Sequence, residues 1–491
     1  MRESRMEHAF TWKYFERIVV ALIQFAVMLV LVRFVAPDEM GIAIICLAIF
    51  HIVNSVFVIR LSNALIQKAD VDELDFSTAL ISQLVLATVF YILLYVSTGV
   101  VASWLQLDVI VTALRILGVT VFFYAVSSLY TAHMIRFYNH SSLFSINVSS
   151  ALIAAILCFF LAIFRYGPFA VILWTFFYQL FSVLLMLLFY KWRPRIGFSF
   201  HRITNMVNGR WKPIMMSVVD ALFTNGQKVA IGYVFHPAAL SFYVRGERLP
   251  GVFMQQFTQG FHDRLLLVFA KVKDDTLKLH LKMREMVVLS GFVIVPLMTI
   301  LLVTAEQLIL FMFSERWLFA VPYMQIFCVY YAFLPISAVF SQTFIALDLT
   351  DQSIKLNFIN KGILLLLWLI NFPLGLQAVA LSMIGYIIIS LFLNSYFLKT
   401  YINYSMVHVM KDLAPIILIS STMGVLIYLL HYILPSSFLL IVIQFVIGAL
   451  LYGTLAFSLK LQAWKLLVKV AYEIYVRFIK RRISRENSTS I

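Results

Sequence analysis

Charge is what this sequence has least of. Asp, Glu, Lys and Arg make up only 12% of 491 residues, 62% are hydrophobic, and the mean hydropathy is +0.94. A soluble fold of this size cannot bury so much apolar surface, so the composition excludes a water-soluble globular protein and indicates a polytopic membrane protein. Alternation is missing as well. The apolar runs are continuous, without the in-and-out period a closed β-barrel needs. Cysteine is scarce: Cys46, Cys158 and Cys328 all lie inside apolar segments, with neither metal-ligand spacing nor a disulfide pattern, so packing is their expected role. No phosphate-binding glycine loop is present, which argues against nucleotide hydrolysis within the chain. The ten histidines are scattered, with no HExxH or other metal-ligand spacing. The longest internal connections, 191–212 and 263–284, are only about twenty residues each, which leaves no room for a soluble catalytic domain. The start, MRESRMEHAFTWKYFERIVV, lacks a short apolar core with a small-residue cleavage site. It is expected to be a cytoplasmic lead-in to the first helix.

What is present is a series of apolar stretches of spanning length. At about 20 residues per span, they predict an all-α polytopic fold of about 14 transmembrane helices. These lie near 15–35, 41–64, 76–103, 109–134, 142–164, 168–190, 213–235, 238–262, 285–313, 318–347, 354–372, 374–398, 408–434 and 438–459. The net charge of +15 is distributed by side. With the N-terminus inside, the inside connections collect Arg2, Arg5, Lys13, Lys68, Arg136, six Lys/Arg in 191–212, six from Arg264 to Arg284, Lys355, Lys399, Lys411 and the basic tail. The outside set holds little beyond Arg165 and Arg316. The positive-inside rule then places both termini in the cytoplasm and makes the number of spans even.

The chain also repeats itself. Pro37 follows the first span and Pro237 the seventh; KADVDELD (68–75) follows span two and KVKDDTLK (271–278) span eight; GPFAV (167–171) opens span six and LGLQAV (374–379) span twelve. Order and spacing predict two six-helix bundles, 1–190 and 213–400, in a pseudo-two-fold parallel repeat. A basic cytoplasmic linker, 191–212, joins them, and an extra helix pair, 401–459, follows. In the tail, 460–491, Lys465, Lys469, Glu473 and Arg477 recur every four residues among apolar positions. That pattern fits an amphipathic helix on the anionic inner leaflet or a simple topology anchor.

Polar residues inside the spans gather in the seventh and eighth segments: Asp220, Asn225, Gln227, Lys228, Arg245, Glu247 and Arg248. A charge at mid-bilayer depth costs about 2.5–3.5 kcal/mol on insertion scales, so such groups face a protein interior or a wet cavity unless they snorkel from a helix end. Across all spans Arg33, Arg60, Arg115, Lys228, Arg245, Arg248 and Lys361 outnumber Asp220, Glu247 and Glu306. An inward-facing set of that sign favours an anionic cargo. Arg offers bidentate geometry and Lys a point charge to phosphate oxygens. Lys228, Arg248 and Lys361 are the first candidates for such a cavity, followed by Arg115, Arg60 and Arg245. Asp220 and Glu247 are candidates for ion coupling or for pairing with those cations. Intramembrane amides such as Gln83, Gln179, Gln255 and Asn360 suit sugar hydroxyls, although bonding between helices is the commoner use.

ALIQK (64–68) with ST (77–78), LVRFVAPDEMG (31–41) and MIRF (134–137) resemble the first half of bacterial lipid-linked oligosaccharide flippases. These belong to the multidrug/oligosaccharidyl-lipid/polysaccharide exporter superfamily. In the second half IG (231–232), SFY (241–243), RLP (248–250), FAKVKDD (269–275) and FSERWLFAVPYMQI (313–326) carry the same resemblance. It covers spans one to twelve. The sequence departs from the family at Ser314, at Val268 and at Gln227-Lys228, where an acidic residue is common; the last change makes span seven more basic. The resemblance implies a non-enzymatic inner-membrane flippase. It would move undecaprenyl-pyrophosphate-linked repeat units of O-antigen, capsule or exopolysaccharide by alternating access, driven by a proton or sodium gradient and with no cofactor. A polysaccharide polymerase and a chain-length regulator are the partners it implies. The alternatives are an ion-coupled multidrug exporter of the same superfamily, which calls for an acidic cavity, and a membrane polysaccharide polymerase, which calls for larger outer loops.

Overall fold

The computed structural model describes residues 2–57, 62, 65–66, 68, 70–195, 197–207, 211–433, 438–461 and 463–468. Arg60 and most of the basic tail lie outside the described residues. Among the described residues the chain is helical, with no strand. The helices are α1 Arg2–Phe34, α2 Pro37–Phe57, α3 Glu73–Leu105, α4 Val109–Arg136, α5 His140–Ile163, α6 Pro168–Phe189 and the short α7 Phe200–Val207. They continue as α8 Trp211–Val234, α9 Pro237–Ala270, α10 Thr276–Val303, the short α11 Ala305–Met312, α12 Val321–Ala346, α13 Thr350–Asn371, α14 Leu376–Ile402, α15 Met406–Ile433 and α16 Phe438–Ser458. Twelve are long and apolar enough to cross a membrane. The expected fourteen also counted α8 and α9. Their 24 and 34 residues exceed the length of a bilayer crossing, but Lys212, Asp220 and Lys228, then Arg245, Glu247, Arg248, Asp263 and Arg264, make them too polar to qualify by composition.

Each repeated motif forms the same local structure twice. Pro37 and Pro237 are the first residues of α2 and α9, where a missing N–H costs nothing and φ is already helical. Asp72 and Asp275, at matching places in KADVDELD and KVKDDTLK, cap α3 and α10. Each carboxylate accepts the backbone N–H three residues on, from Asp75 and Lys278, at 3.0 Å. Gly167 and Gly375 precede α6 and α14 with φ of +54° and +102°, a backbone region that disfavours any residue with a Cβ.

The chain divides into two compact units, Met1–Ser241 and Phe242–Ile491, the division falling in the first turns of α9. In the first unit α3 packs on α4, α4 on α6, α6 on α5, α5 on α1, and α2 on α8. In the second, α12 packs on α10 and α14, α13 on α14, and α15 on both α10 and α16. The three cysteines are buried and unbridged.

The linker after α6 is tied to the start of α3. Trp192 donates to Glu73 at 3.1 Å, Ser77 donates to the Gly197 carbonyl at 2.5 Å, and the Ser199 N–H donates to Thr78 at 3.2 Å. Arg202 pairs with Asp72, and with Asp75 at 3.0 Å; Asp75 also holds Lys68 at 2.6 Å. Hydrogen bonding from Arg202 holds the Asp72 carboxyl below its ordinary pKa. Arg136 donates to the carbonyls of Leu65 and Lys68, at 3.0 and 2.6 Å, and Met206 packs with Leu65, Phe76, Ala79 and Leu129. Residues of ALIQK, ST and MIRF, far apart in the chain, thus meet at one place. The second unit ties the corresponding loop by different chemistry: Lys273 reaches Asp348, after α12, at 3.0 Å.

Candidate functional site

The polar residues expected to carry function fall into two groups, one in each unit. In the first, α2 and α8 bring His51 within electrostatic reach of Lys228. The Phe50 ring lies 5.6 Å from His51 and 6.4 Å from Tyr124. Gln227 is buried beside Lys228, and the buried Oδ1 of Asn54 on α2 has no hydrogen-bond partner among the described residues. Asp220 lies on the same helix, half-buried, two turns before Lys228. A cation, an imidazole and an amide on two packed helices form a donor-rich patch in an otherwise apolar bundle.

Around that patch the amides bond between helices. Gln83 donates to Ser62 at 3.1 Å and accepts from Ser128 at 3.2 Å, joining α3 and α4 to the segment after α2. Gln179 accepts from Ser127 at 3.2 Å, joining α6 to α4. These two amides therefore serve helix packing. Arg115 lies elsewhere in the unit: its guanidinium sits 4.1 Å from the centre of the Tyr95 ring, a cation–π contact between α4 and α3. Its Nε has no hydrogen-bond partner among the described residues.

In the second unit Arg245, Glu247 and Arg248 lie on adjoining turns of α9. Arg245 is buried, with its guanidinium 5.7 Å from the ring centre of Trp317 and within electrostatic reach of Arg248. Trp317 is the Trp of the Glu-Arg-Trp motif, buried in the 3-10 turn Glu315–Ala320. Close approach at Gly246 makes this possible. A Cβ there would lie 2.6–2.8 Å from Tyr323 Cβ, Met324 N and Ala320 O. Arg248 is exposed and Glu247 half-buried; Tyr331 donates to the Glu247 carboxylate at 3.4 Å. Lys361 stands half-buried on α13, next to the buried Asn360. The second unit also holds an apolar cavity of about 500 Å³ among α10, α12 and α15, lined by residues including Met298, Gln325, Cys328, Phe333 and Tyr428.

His51 and the tyrosines beside Glu247 do not stand out in the sequence. His51 is one of ten scattered histidines, and nothing in its spacing announces Lys228, 177 positions away. The adjacent pair Tyr330-Tyr331 is the one legible signal for the other group.

These helices form an all-α polytopic membrane fold. Over 91% of this chain and 97% of the other, it is similar to a structure described as "Lipid II flippase MurJ, inward closed conformation", with a TM-score of 0.74 and 15% identity. It is also similar to an inward-facing multidrug resistance MATE family transporter of the MOP superfamily, with a TM-score of 0.63, 12% identity and coverage of 78% and 94%. A Klebsiella pneumoniae protein described as "Uncharacterized membrane protein in cps region" is 20% identical over 367 residues, 71% of this chain and 72% of that protein. Residues 30–322 match the family described as "Polysaccharide biosynthesis protein", and the chain belongs to it.

Proposed function

We propose that the protein is a flippase that moves a pyrophosphate-linked, prenyl-anchored oligosaccharide repeat unit from the cytoplasmic to the outer face of a bacterial inner membrane, for surface polysaccharide assembly. The observation that carries this reading is the placement of cations on α8 and α9 within a family of polysaccharide biosynthesis proteins. Lys228 in the first unit, and Arg245 and Arg248 in the second, interrupt helices that are otherwise poor in charge, and an anionic headgroup would offset the cost of keeping such cations there. In this reading α8 and α9 also cross the membrane, both termini are cytoplasmic, and the linker 191–212 lies on the cytoplasmic side.

The cargo step is binding and release. Lys228, Arg248 and Lys361, then Arg115, Arg60 and Arg245, are the proposed cations for phosphate or acidic sugar. His51 joins Lys228 as a second donor. The bundles alternate between inward-open and outward-open states while the tail stays in lipid, and a proton or sodium gradient supplies the bias. Asp220 and Glu247 remain the carboxylates for ion coupling or charge pairing. An ion-coupled multidrug exporter is the second reading, which the similarity to the MATE structure favours; the excess of cations over carboxylates opposes cationic drugs as cargo.

Single replacement of Lys228, Arg248 and Lys361 by Ala tests the site. Each variant is expected to insert normally in the membrane and to lower surface polymer at least several-fold. Wild-type polymer from all three would move the site elsewhere.

A further inference from the structure

Glu247 has an environment that ion coupling does not require. Tyr331 donates to its Oε1 at 3.4 Å, and Tyr330 lies within electrostatic reach of it. The Tyr330 and Tyr331 ring centroids are 5.1 Å apart at 66°. Behind them Phe327 packs 6.1 Å from Tyr331 and 5.1 Å from Tyr243, and Tyr243 lies 5.8 Å from Tyr323. Phe327 and Tyr243 are fully buried, whereas Tyr323, Tyr330, Tyr331 and Glu247 keep accessible surface. The result is a tyrosine wall on a buried aromatic base, with one carboxylate at its edge. Among the described residues that carboxylate makes no ion pair.

Two further features fit the wall to a hydroxyl-rich ligand. Gly251 stands one turn after Glu247, and a Cβ there would come within 3.1 Å of the Tyr331 hydroxyl; the glycine leaves that hydroxyl its place against α9. Pro250 and Pro335 interrupt α9 and α12. Each removes the intrahelical donor of the carbonyl four residues earlier, at Gly246 and at Tyr331 itself. Hydrogen-bond acceptors therefore accumulate beside aromatic faces.

We propose that Glu247, Tyr330 and Tyr331, with Tyr323, form a subsite for a neutral pyranose. The carboxylate and tyrosine hydroxyls take the sugar hydroxyls, and a tyrosine face takes the apolar C–H face of the ring. This rests on the flippase reading and adds to it which part of the cargo the second unit holds; it makes Glu247 a cargo ligand and leaves ion coupling to Asp220. The pyrophosphate belongs with the cations, and the uncharged sugar belongs here. An acidic sugar is disfavoured at this position because its carboxylate would meet Glu247. A sodium site would use the same carboxylate and freed carbonyls but has no use for the tyrosine wall.

The test uses the full-length chain purified in detergent and saturation-transfer NMR with the methyl glycosides of glucose, galactose, mannose and glucuronic acid at millimolar concentration. At least one neutral glycoside should receive saturation, strongest at its ring C–H protons, and the glucuronide should receive less. Glu247→Gln should weaken that binding about 10-fold, as expected for a hydrogen bond to a charged group. Tyr331→Phe should weaken it less and Tyr331→Ala should abolish it, with all variants eluting as wild type on size exclusion. The proposal is overturned by no transfer to any neutral glycoside in the wild-type protein, or by equal transfer in Glu247→Gln and Tyr331→Ala. A sodium-dependent signal lost in Glu247→Gln, with no glycoside effect, would overturn it as well. Trapping of lipid-linked units on the inner face in a deletion strain tests the flippase reading separately. Its success alongside a negative NMR result removes the subsite alone.

Discussion

Gly41→Ala is the substitution whose consequence can be worked most directly from the structure. Gly41 lies in the first turns of α2, where the helix crosses the start of α9. A Cβ at this position would sit 1.9 Å from the Pro237 carbonyl oxygen and 2.3 Å from its carbon. These are backbone atoms, so no side chain can rotate away. Ordinary contact begins near 3.4 Å, so the two helices must part by about 1.5 Å. Overpacking of this kind costs roughly 1–3 kcal/mol. If the crossing exists in only one state of the proposed transport cycle, that energy shifts its population by about 5- to 150-fold. The matched control is Gly99→Ala in α3, where an added Cβ meets nothing within 4 Å and replacing a helical glycine stabilises by up to about 1 kcal/mol. The assays are the apparent Tm of the detergent-purified protein and the amount of surface polymer in a complemented deletion strain. Gly41→Ala should melt below wild type and lower polymer, and Gly99→Ala should do neither. Equal melting and equal polymer for Gly41→Ala and wild type would refute the crossing as described.

Two other contacts give predictions of their own. Arg284 on α10 forms a two-nitrogen fork to Asp412 on α15, at 2.7–3.0 Å, and Tyr404 adds a bond to the same carboxylate at 3.0 Å. Asp412→Ala should loosen α15 from α10, read as faster proteolysis between α14 and α15 and a lower Tm, while Lys411→Ala next to it should leave both unchanged. The linker clasp should resist pH over the physiological range. The folded pKa of Asp72 is depressed, so its contribution is complete above the unfolded value of about 3.9 and is lost only as pH falls through the folded one. Hydrogen-exchange protection of the Gly197 and Ser199 amides should therefore hold from pH 5 to 8 and fall below about pH 4. Loss of protection between pH 6 and 8 would mean that another group controls the linker.

Much of the fold was legible because a bilayer imposes one period and one length on the chain. Twelve of the fourteen expected segments closely coincide with helices, from 76–103 within α3 to 438–459 at α16, and 41–64 follows α2 to Phe57 before passing largely beyond the described residues. The remaining one, 285–313, spans a break at Thr304 between α10 and α11, where a single residue off helical backbone angles leaves no hydropathy signal. The repeat was legible through its caps: Asp72 with Asp275, and Gly167 with Gly375, are chosen by backbone geometry that sequence records locally. The site was legible only as a set of charges. Arg245, Glu247 and Arg248 are adjacent in sequence, yet one packs near a buried indole, one meets a tyrosine hydroxyl and one is exposed. Those fates depend on Trp317 and Tyr331, more than seventy residues away, and no local pattern encodes such partners. The same holds for Lys228 and His51.

The central claim is a direction of movement across a membrane, so it is tested by finding on which side its cargo stops. Right-side-out vesicles from a strain lacking this chain can be treated with periodate, which oxidises sugars but does not cross the bilayer. The lipid-linked oligosaccharides should be protected until the vesicles are opened, and restoring the wild-type chain should make them accessible from outside. Units already exposed on the outer face in the deletion strain would contradict a flippase, and would point to a step after translocation.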